Sequence, residues 1–260
     1  MIGSATAFLA VMRTVIAGRL AYRGDLFISL VVTLLGETIL PLITLLIYRT
    51  GASFPGWTLY EVMLIQSVFM LAKGMAYPFF FGMVYNTLDR VRDGTFDVLL
   101  LKPRSALFMT MVTGFSPDGL GRSLGGAALF AFALGHLHAP SAMEWISFIL
   151  LMAVSSSVLF ASALFMSGLL FFWVGSSRVY DIHDSLTSFG QYPQTIYSKP
   201  LQWVLTVLLP VAMISYIPAS ALLGKMESEL TMAVGFSAVF VSVSIGFWHW
   251  MLRKYTSAGG

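Results

Sequence analysis

From Leu26 to Tyr48 the chain carries a single charged residue, Glu37, among apolar neighbours, and a run of that kind leaves few folds open. About 20 helical residues, rising 1.5 Å each, cross the hydrocarbon core of a bilayer. There every backbone polar group must be satisfied inside the chain, which selects helices or closed barrels. Four more runs are comparable: Trp57 to Tyr85, Ser105 to Leu137, Trp145 to Val174 and Leu230 to Trp250. With 57% hydrophobic and 10% charged residues, a soluble domain is excluded and an all-α integral membrane protein is expected. Arg13, Arg19 and Arg23 interrupt the N-terminal apolar run and no small-residue cleavage site follows, so no removable leader is expected.

The third run is broken by Gly114 to Arg122, "GFSPDGLGR", which predicts an interfacial piece followed by a span from about Leu120. A sixth crossing must lie between Val179 and Leu223, and two placements compete. Hydropathy favours Leu201 to Ile217, but Pro210 and Pro218 break that piece into half-helices. In the other placement the less apolar Val179 to Tyr197 crosses and Leu201 to Leu223 dips back from the outer face. Either way there are six transmembrane helices with both termini on one side.

The basic residues choose the side. With the N-terminus inside, Arg13, Arg19, Arg23, Arg90, Arg92, Lys102, Arg104, Arg178, Arg253 and Lys254 face the cytoplasm and Arg49 and Lys225 face out, with Lys73, Arg122 and Lys199 uncounted as intramembrane or ambiguous in depth. Before the first span, Ala10, Thr14, Ala17, Gly18 and Ala21 fall on one helical face. That pattern predicts an interfacial helix over 1–24, its small face against neighbouring spans and its arginines near lipid headgroups.

Two ionisable residues lie deep in spans. Glu37 and Lys73 sit at similar depth on adjacent antiparallel helices, which predicts an intramembrane polar pair with a structural role, a role lining a translocation path, or both. Chemistry beyond this is sparse. There is no cysteine. His136, His138 and Glu144 do not make a metal set, because no dependable third ligand accompanies the histidines. Asp181, His183 and Asp184 with Arg178 read as a solvated corner at a span mouth, with a possible second contact to a partner protein. Glu227 and Glu229 read as outer-surface charge. No catalytic triad or paired carboxylates stand out, and a net charge of only +3 argues against a nucleic-acid partner.

Between the second and third spans lies "VRDGTFDVLLLKP", from Val91 to Pro103, with the grammar of a short, bounded helix. Gly94 ends the helix before it in a left-handed conformation, Thr95 caps the next, Asp97 sits in its first turn, Lys102 at its last, and Pro103 stops it. Phe96, Val98, Leu99, Leu100 and Leu101 are too apolar for a free loop. They either fold back on the span ends or dock into a soluble partner.

"DGTFDVLLLKPRSALF" resembles the basic-x-Gly-x-hydrophobic-Asp-x-x-Leu-x-basic-Pro-x-x-x-Leu motif of the bacterial ABC-2-type (ATP-binding cassette) transporter permease family. Phe189 to Gly224 is similar to the same family's Tyr-Pro, Ile-Tyr, Pro and Tyr-x-Pro-Ala pattern, and Trp248 to Gly260 to its Trp, basic, Tyr-x-Ser close. The three matches keep the family's order and, with six spans, cover nearly the whole chain. The resemblance implies a permease subunit of an exporter in the bacterial inner membrane, with a cytoplasmic coupling segment over 86–104 and an outer-face re-entrant hairpin over 198–224. Arg92, Gly94, Phe96, Asp97, Leu100 and Pro103 would shape the contact with a nucleotide-binding ATPase. Phe96 stands where leucine is commoner in the family, which bears on how that helix fits its groove. Partners implied are two ATPase subunits, a second permease subunit, identical or related, and membrane lipids.

The chain itself has no Gly-x-x-x-x-Gly-Lys-Ser/Thr loop; its one Gly-Lys, Gly224 and Lys225, precedes Met226. ATP and magnesium are therefore expected on the partner, with no cofactor in this chain and no enzyme activity of its own. The rival from another class is an ion-coupled secondary transporter or channel using Glu37 and Lys73. It leaves the coupling motif unexplained.

Overall fold

The computed structural model describes residues 4–115, 119–173, 178–225 and 230–256. Glu227 and Glu229, and the centre of the "GFSPDGLGR" interruption, lie outside these residues. The described chain is all helical, and four helical stretches are long and apolar enough to cross a membrane. They are α2 (Arg23–Arg49), the continuous stretch Leu59–Arg92, α8 (Ala142–Leu170) and α12 (Leu230–Lys254). Within the second of these, α3 (Leu59–Ala76) passes through one π-helical turn, Tyr77–Phe81, into α4 (Gly82–Arg92). The turn absorbs Pro78, which has no N–H to donate.

Two ends of the bundle are defined by contacts. A distal end gathers the loop at 50–58, the loop after Gly135 and the residues before Lys225. There His136 stacks on Tyr60 at 4.2 Å and Lys225 reaches Glu61 at 2.8 Å. Helix starts at this end are capped: the backbone N–H of Thr58 donates to Glu61 at 2.9 Å and that of Ser141 to Glu144 at 2.6 Å. A proximal end gathers the close of α4, the short α5 (Asp97–Leu100), Phe171 and Tyr255. The last helix thus ends at the same end as α5.

The third run is two helices on either side of its interruption, α6 (Ala106–Thr113) and α7 (Leu120–Leu134), the second beginning where the sequence predicts. Glycine explains how α7 packs. A Cβ on Gly74 of α3 would meet the Ser123 backbone nitrogen at 2.7 Å, and one on Gly126 would meet that of Leu71 at 2.9 Å. The two backbones are in direct contact, as small residues permit between membrane helices.

Helix α1 (Ser4–Ala21) leads into α2 through a break at Tyr22 and touches α2 and α6, with Phe8 stacked on Phe79 at 6.2 Å. The expected packing of its small face is corrected. Ala10, Thr14, Ala17, Gly18 and Ala21 are exposed, and a Cβ on Gly18 would meet nothing. The larger Phe8, Val11, Met12 and Val15 are half-buried, because bulky side chains bury more apolar area than a stripe of methyl groups.

Residues 178–223 carry the chain up and partly back. Along α9 (Arg178–Ser188) and the turns after it, Val179 joins the core of Met83 and Val84, and His183 lies on Phe81 at 5.5 Å. Farther on, Tyr192 meets Phe54 at 5.9 Å and Thr195 accepts from the Trp57 indole at 3.0 Å. This stretch therefore runs from the proximal to the distal end. Next come α10 (Lys199–Trp203), a π-helical turn at Val204–Leu208, a bend at Pro210, and α11 (Tyr216–Leu222), whose Tyr216 returns to Trp57 at 5.6 Å. Both arms of this hairpin open at the distal end. At its tip the Ile214 carbonyl accepts from Ser155 of α8 at 2.8 Å, and Ser215 donates to the Gly190 carbonyl. Side chains and neighbouring turns thus take up backbone groups that a broken helix leaves open.

Candidate functional site

The proximal segment is built on a helix stop. Gly94 has φ +67°, its N–H donates to the Val91 carbonyl at 3.4 Å, and the Thr95 N–H donates to the Arg90 carbonyl at 2.9 Å. These paired bonds end α4 as sequence grammar requires of a glycine after a helix. Thr95, however, makes no side-chain cap. The first turn of α5 closes through backbone bonds instead, Val98 to Thr95 at 3.2 Å and Leu99 to Phe96 at 2.9 Å.

Two residues root the segment. Phe96 is fully buried between Phe171 at 5.0 Å and Tyr255 at 5.3 Å, and Leu99 is 2% exposed. The same turn displays Leu101 at 85%, Val98 at 49% and Leu100 at 44% exposure. Arg92, Lys102 and Pro103 are exposed around them, while Gly94 and Asp97 are half-buried. The arms are fixed by Asn86 of α4, which donates to Thr113 of α6 at 2.7 Å and accepts from Arg90 at 2.7 Å. A rigidly held turn thus carries an apolar ridge inside a basic rim. It offers adhesion and leverage and no nucleophile or acid–base pair.

Four charges from α2, α3, α7 and α9 pair within the bundle. The expected Glu37–Lys73 pair does not form: Lys73 pairs with Asp184 of α9, and Glu37 pairs with Arg122 of α7. Depth along the helices placed Glu37 and Lys73 together, but α7 packs against both α2 and α3 and carries Arg122 to Glu37. Lys73 is 2% exposed, and its ammonium also lies over the Phe69 ring at 5.1 Å. Asp184 is therefore an ion-pair partner whose side chain stays half-exposed. Arg122 went unassigned in the sequence because its loop read as ambiguous in depth. Asp184 was noted in the sequence as part of a polar corner, with no signal that it would meet Lys73.

His183, next to Asp184, has no hydrogen-bond partner on either ring nitrogen, and both are buried. His136 is packed against Tyr60 and its Nδ1 lies 2.9 Å from the Phe132 carbonyl. Glu144 serves the α8 start.

Long apolar helices around pairwise-neutralised charges, with an adhesive turn at one end, define a multi-pass membrane transport component. The family model described as ABC-2 family transporter protein matches residues 34–259. The chain belongs to that family and is a permease component of an ABC transporter. No curated protein and no solved structure matches it. The match takes in α5, the hairpin and all four charges, and omits α1 and residues 23–33 of α2.

Proposed function

We propose that this chain is the membrane subunit of an exporter, driven from its proximal end by ATPase subunits that carry the ATP and magnesium. The observation that carries the reading is the two-faced turn at α5: Phe96 and Leu99 root it while Val98, Leu100 and Leu101 stand out. An apolar ridge beside Arg92 and Lys102 fits a groove on a soluble partner better than a lipid surface, because Phe96 ties it to the ends of α8 and α12. ATP-driven closure of the partners would move α5. The displacement would pass through Phe171 into α8, through Tyr255 into α12 and through α4 into α3, giving alternating access by rigid elements.

In this reading the chain crosses the bacterial inner membrane six times. The crossings are α2, α3, α7, α8, the stretch over 179–197, and α12. The proximal end and both termini are cytoplasmic, as the basic residues favour. The hairpin over 198–224 is re-entrant from outside, supported by its two arms opening at the distal end. A second permease subunit, identical or related, completes the transporter. The apolar side chains that α2 exposes, among them Phe27, Leu35 and Leu42, suit that subunit or lipid.

The test is co-purification in mild detergent with the products of the neighbouring genes, probed for an ATP-binding cassette ATPase. Wild type should retain it, and Leu100→Glu with Leu101→Glu should lose it while eluting as the same monodisperse protein. Full retention by the double variant would overturn the docking role.

A further inference from the structure

Between α8, α9, the hairpin tip and α12 lies a cavity of about 190 Å³. Its walls are apolar, with Val158, Phe165, Val211, Ile214 and Phe240 among them. Three polar side chains reach it, and two are already engaged: Ser162 donates to the Val158 carbonyl at 2.8 Å, and Thr187 to the His183 carbonyl at 3.0 Å. The third is His183, whose ring nitrogens are buried and unpartnered. A buried imidazole without a partner forgoes its hydrogen bonds at a real cost, so such a group calls for a ligand.

Size narrows what that ligand is. Drug-sized molecules occupy roughly 300–1,000 Å³, whereas an apolar cavity of about 150 Å³ holds benzene. The cavity therefore takes part of one hydrocarbon chain and no bulky headgroup. Depth narrows it further. His183 lies on Phe81, about 33 Å along the helix from Leu59 at 1.5 Å per residue, close to the ~30 Å thickness of a hydrocarbon core. It therefore stands near the inner edge of the apolar layer, where phospholipid ester groups lie. The cavity's mouth is flanked by Trp173, Ile182 and Leu186, which are exposed at the side of the bundle.

We propose that this cavity is a lateral binding site for one acyl chain of a bilayer phospholipid, with the ester carbonyl accepting a hydrogen bond from the His183 ring. A neutral imidazole supplies one donor, and the carbonyl supplies the acceptor with no charge to desolvate. The chain then fills the space toward Val158, Val211 and Phe240, against the hairpin tip. The site depends on the chain lying in a bilayer and not on ATPase docking, so loss of one leaves the other standing.

The experiment uses the full chain in phosphatidylcholine vesicles doped with phosphatidylcholine bearing a diazirine in the part of one acyl chain nearest its ester. Photolysis and peptide mapping should place label on α8 and α9 at the lining residues, above the level on the exposed face of α2. Ser162→Phe, which fills the cavity, should bring it down to the α2 level. His183→Leu should lower it about five-fold, the worth of one neutral hydrogen bond, and His183→Gln, which keeps a donor, should retain most of it. Where Ser162→Phe fails to fold, the two His183 variants decide.

Label spread evenly over lipid-facing helices, or unchanged in all variants, overturns the proposal. So does labelling by the corresponding free diazirine fatty acid but not by the phospholipid. Disulfide capture of a second copy through Ile182→Cys, with the lining unlabelled, would give the mouth to a subunit interface and also overturn it.

Discussion

The α5 turn and the 199–223 hairpin are both broken, strongly apolar segments, and both close a helix on a glycine with positive φ, Gly94 at +67° and Gly224 at +66°. Their surroundings differ. At the hairpin tip Met213 and Ile214 are fully buried, and a serine of α8 takes up a tip carbonyl. At α5 two side chains are buried and the apolar residue at its end, Leu101, is largely exposed. Similar local chemistry therefore serves opposite purposes. The hairpin finds its partner inside its own chain, while α5 is shaped to meet one outside it.

Substitutions should break that contrast unequally. The largest effect is expected at the hairpin: Met213→Asp buries an unpaired carboxylate, a penalty of roughly 5 kcal/mol or more. The protein should then be lost from the monodisperse peak in size-exclusion chromatography. Next is Phe96→Ala, which empties the root of α5 at about 3 kcal/mol. It should leave the bundle intact but make the chain quickly cut by trypsin after Arg92 and Arg104. A full trypsin resistance would mean that Leu99 and the Gly94 stop suffice.

Asp184→Asn should cost about 2 kcal/mol in thermal stability, discounted because the Asp184 side chain is 48% exposed. Adding Lys73→Met should recover most of it, since the stranded buried ammonium is then gone; no recovery would give Lys73 a role beyond its pair. The smallest stability effect belongs to Leu101→Asp, within about 0.5 kcal/mol of wild type as for surface changes generally. Yet ATPase retention in pull-down should fall about ten-fold, or roughly 1.4 kcal/mol. A large stability loss there would mean that the ridge is covered by this chain itself.

Much of this was legible in residue order. The runs around Glu37 and from Leu230 onward became long helices, since in hydrocarbon no other open structure satisfies the backbone. The helix stop at Gly94 was equally local, because left-handed backbone favours glycine. The break in the third run was legible too, with a helix restarting at Leu120 as the interruption implied. What hydropathy does not report is that Gly126 brings α7 into backbone contact with α3.

Sequence by itself therefore determined the membrane class, the helix ends and the apolar turn between Gly94 and Pro103, all of them properties of neighbouring residues along one chain. Only the tertiary structure decided that Lys73 meets Asp184 and Glu37 meets Arg122. It also decided that the polar stretch over 179–197 runs end to end while the more apolar hairpin turns back. Depth along a helix follows from counting residues. Which helix lies beside which, and which face it turns, depends on the simultaneous packing of every element.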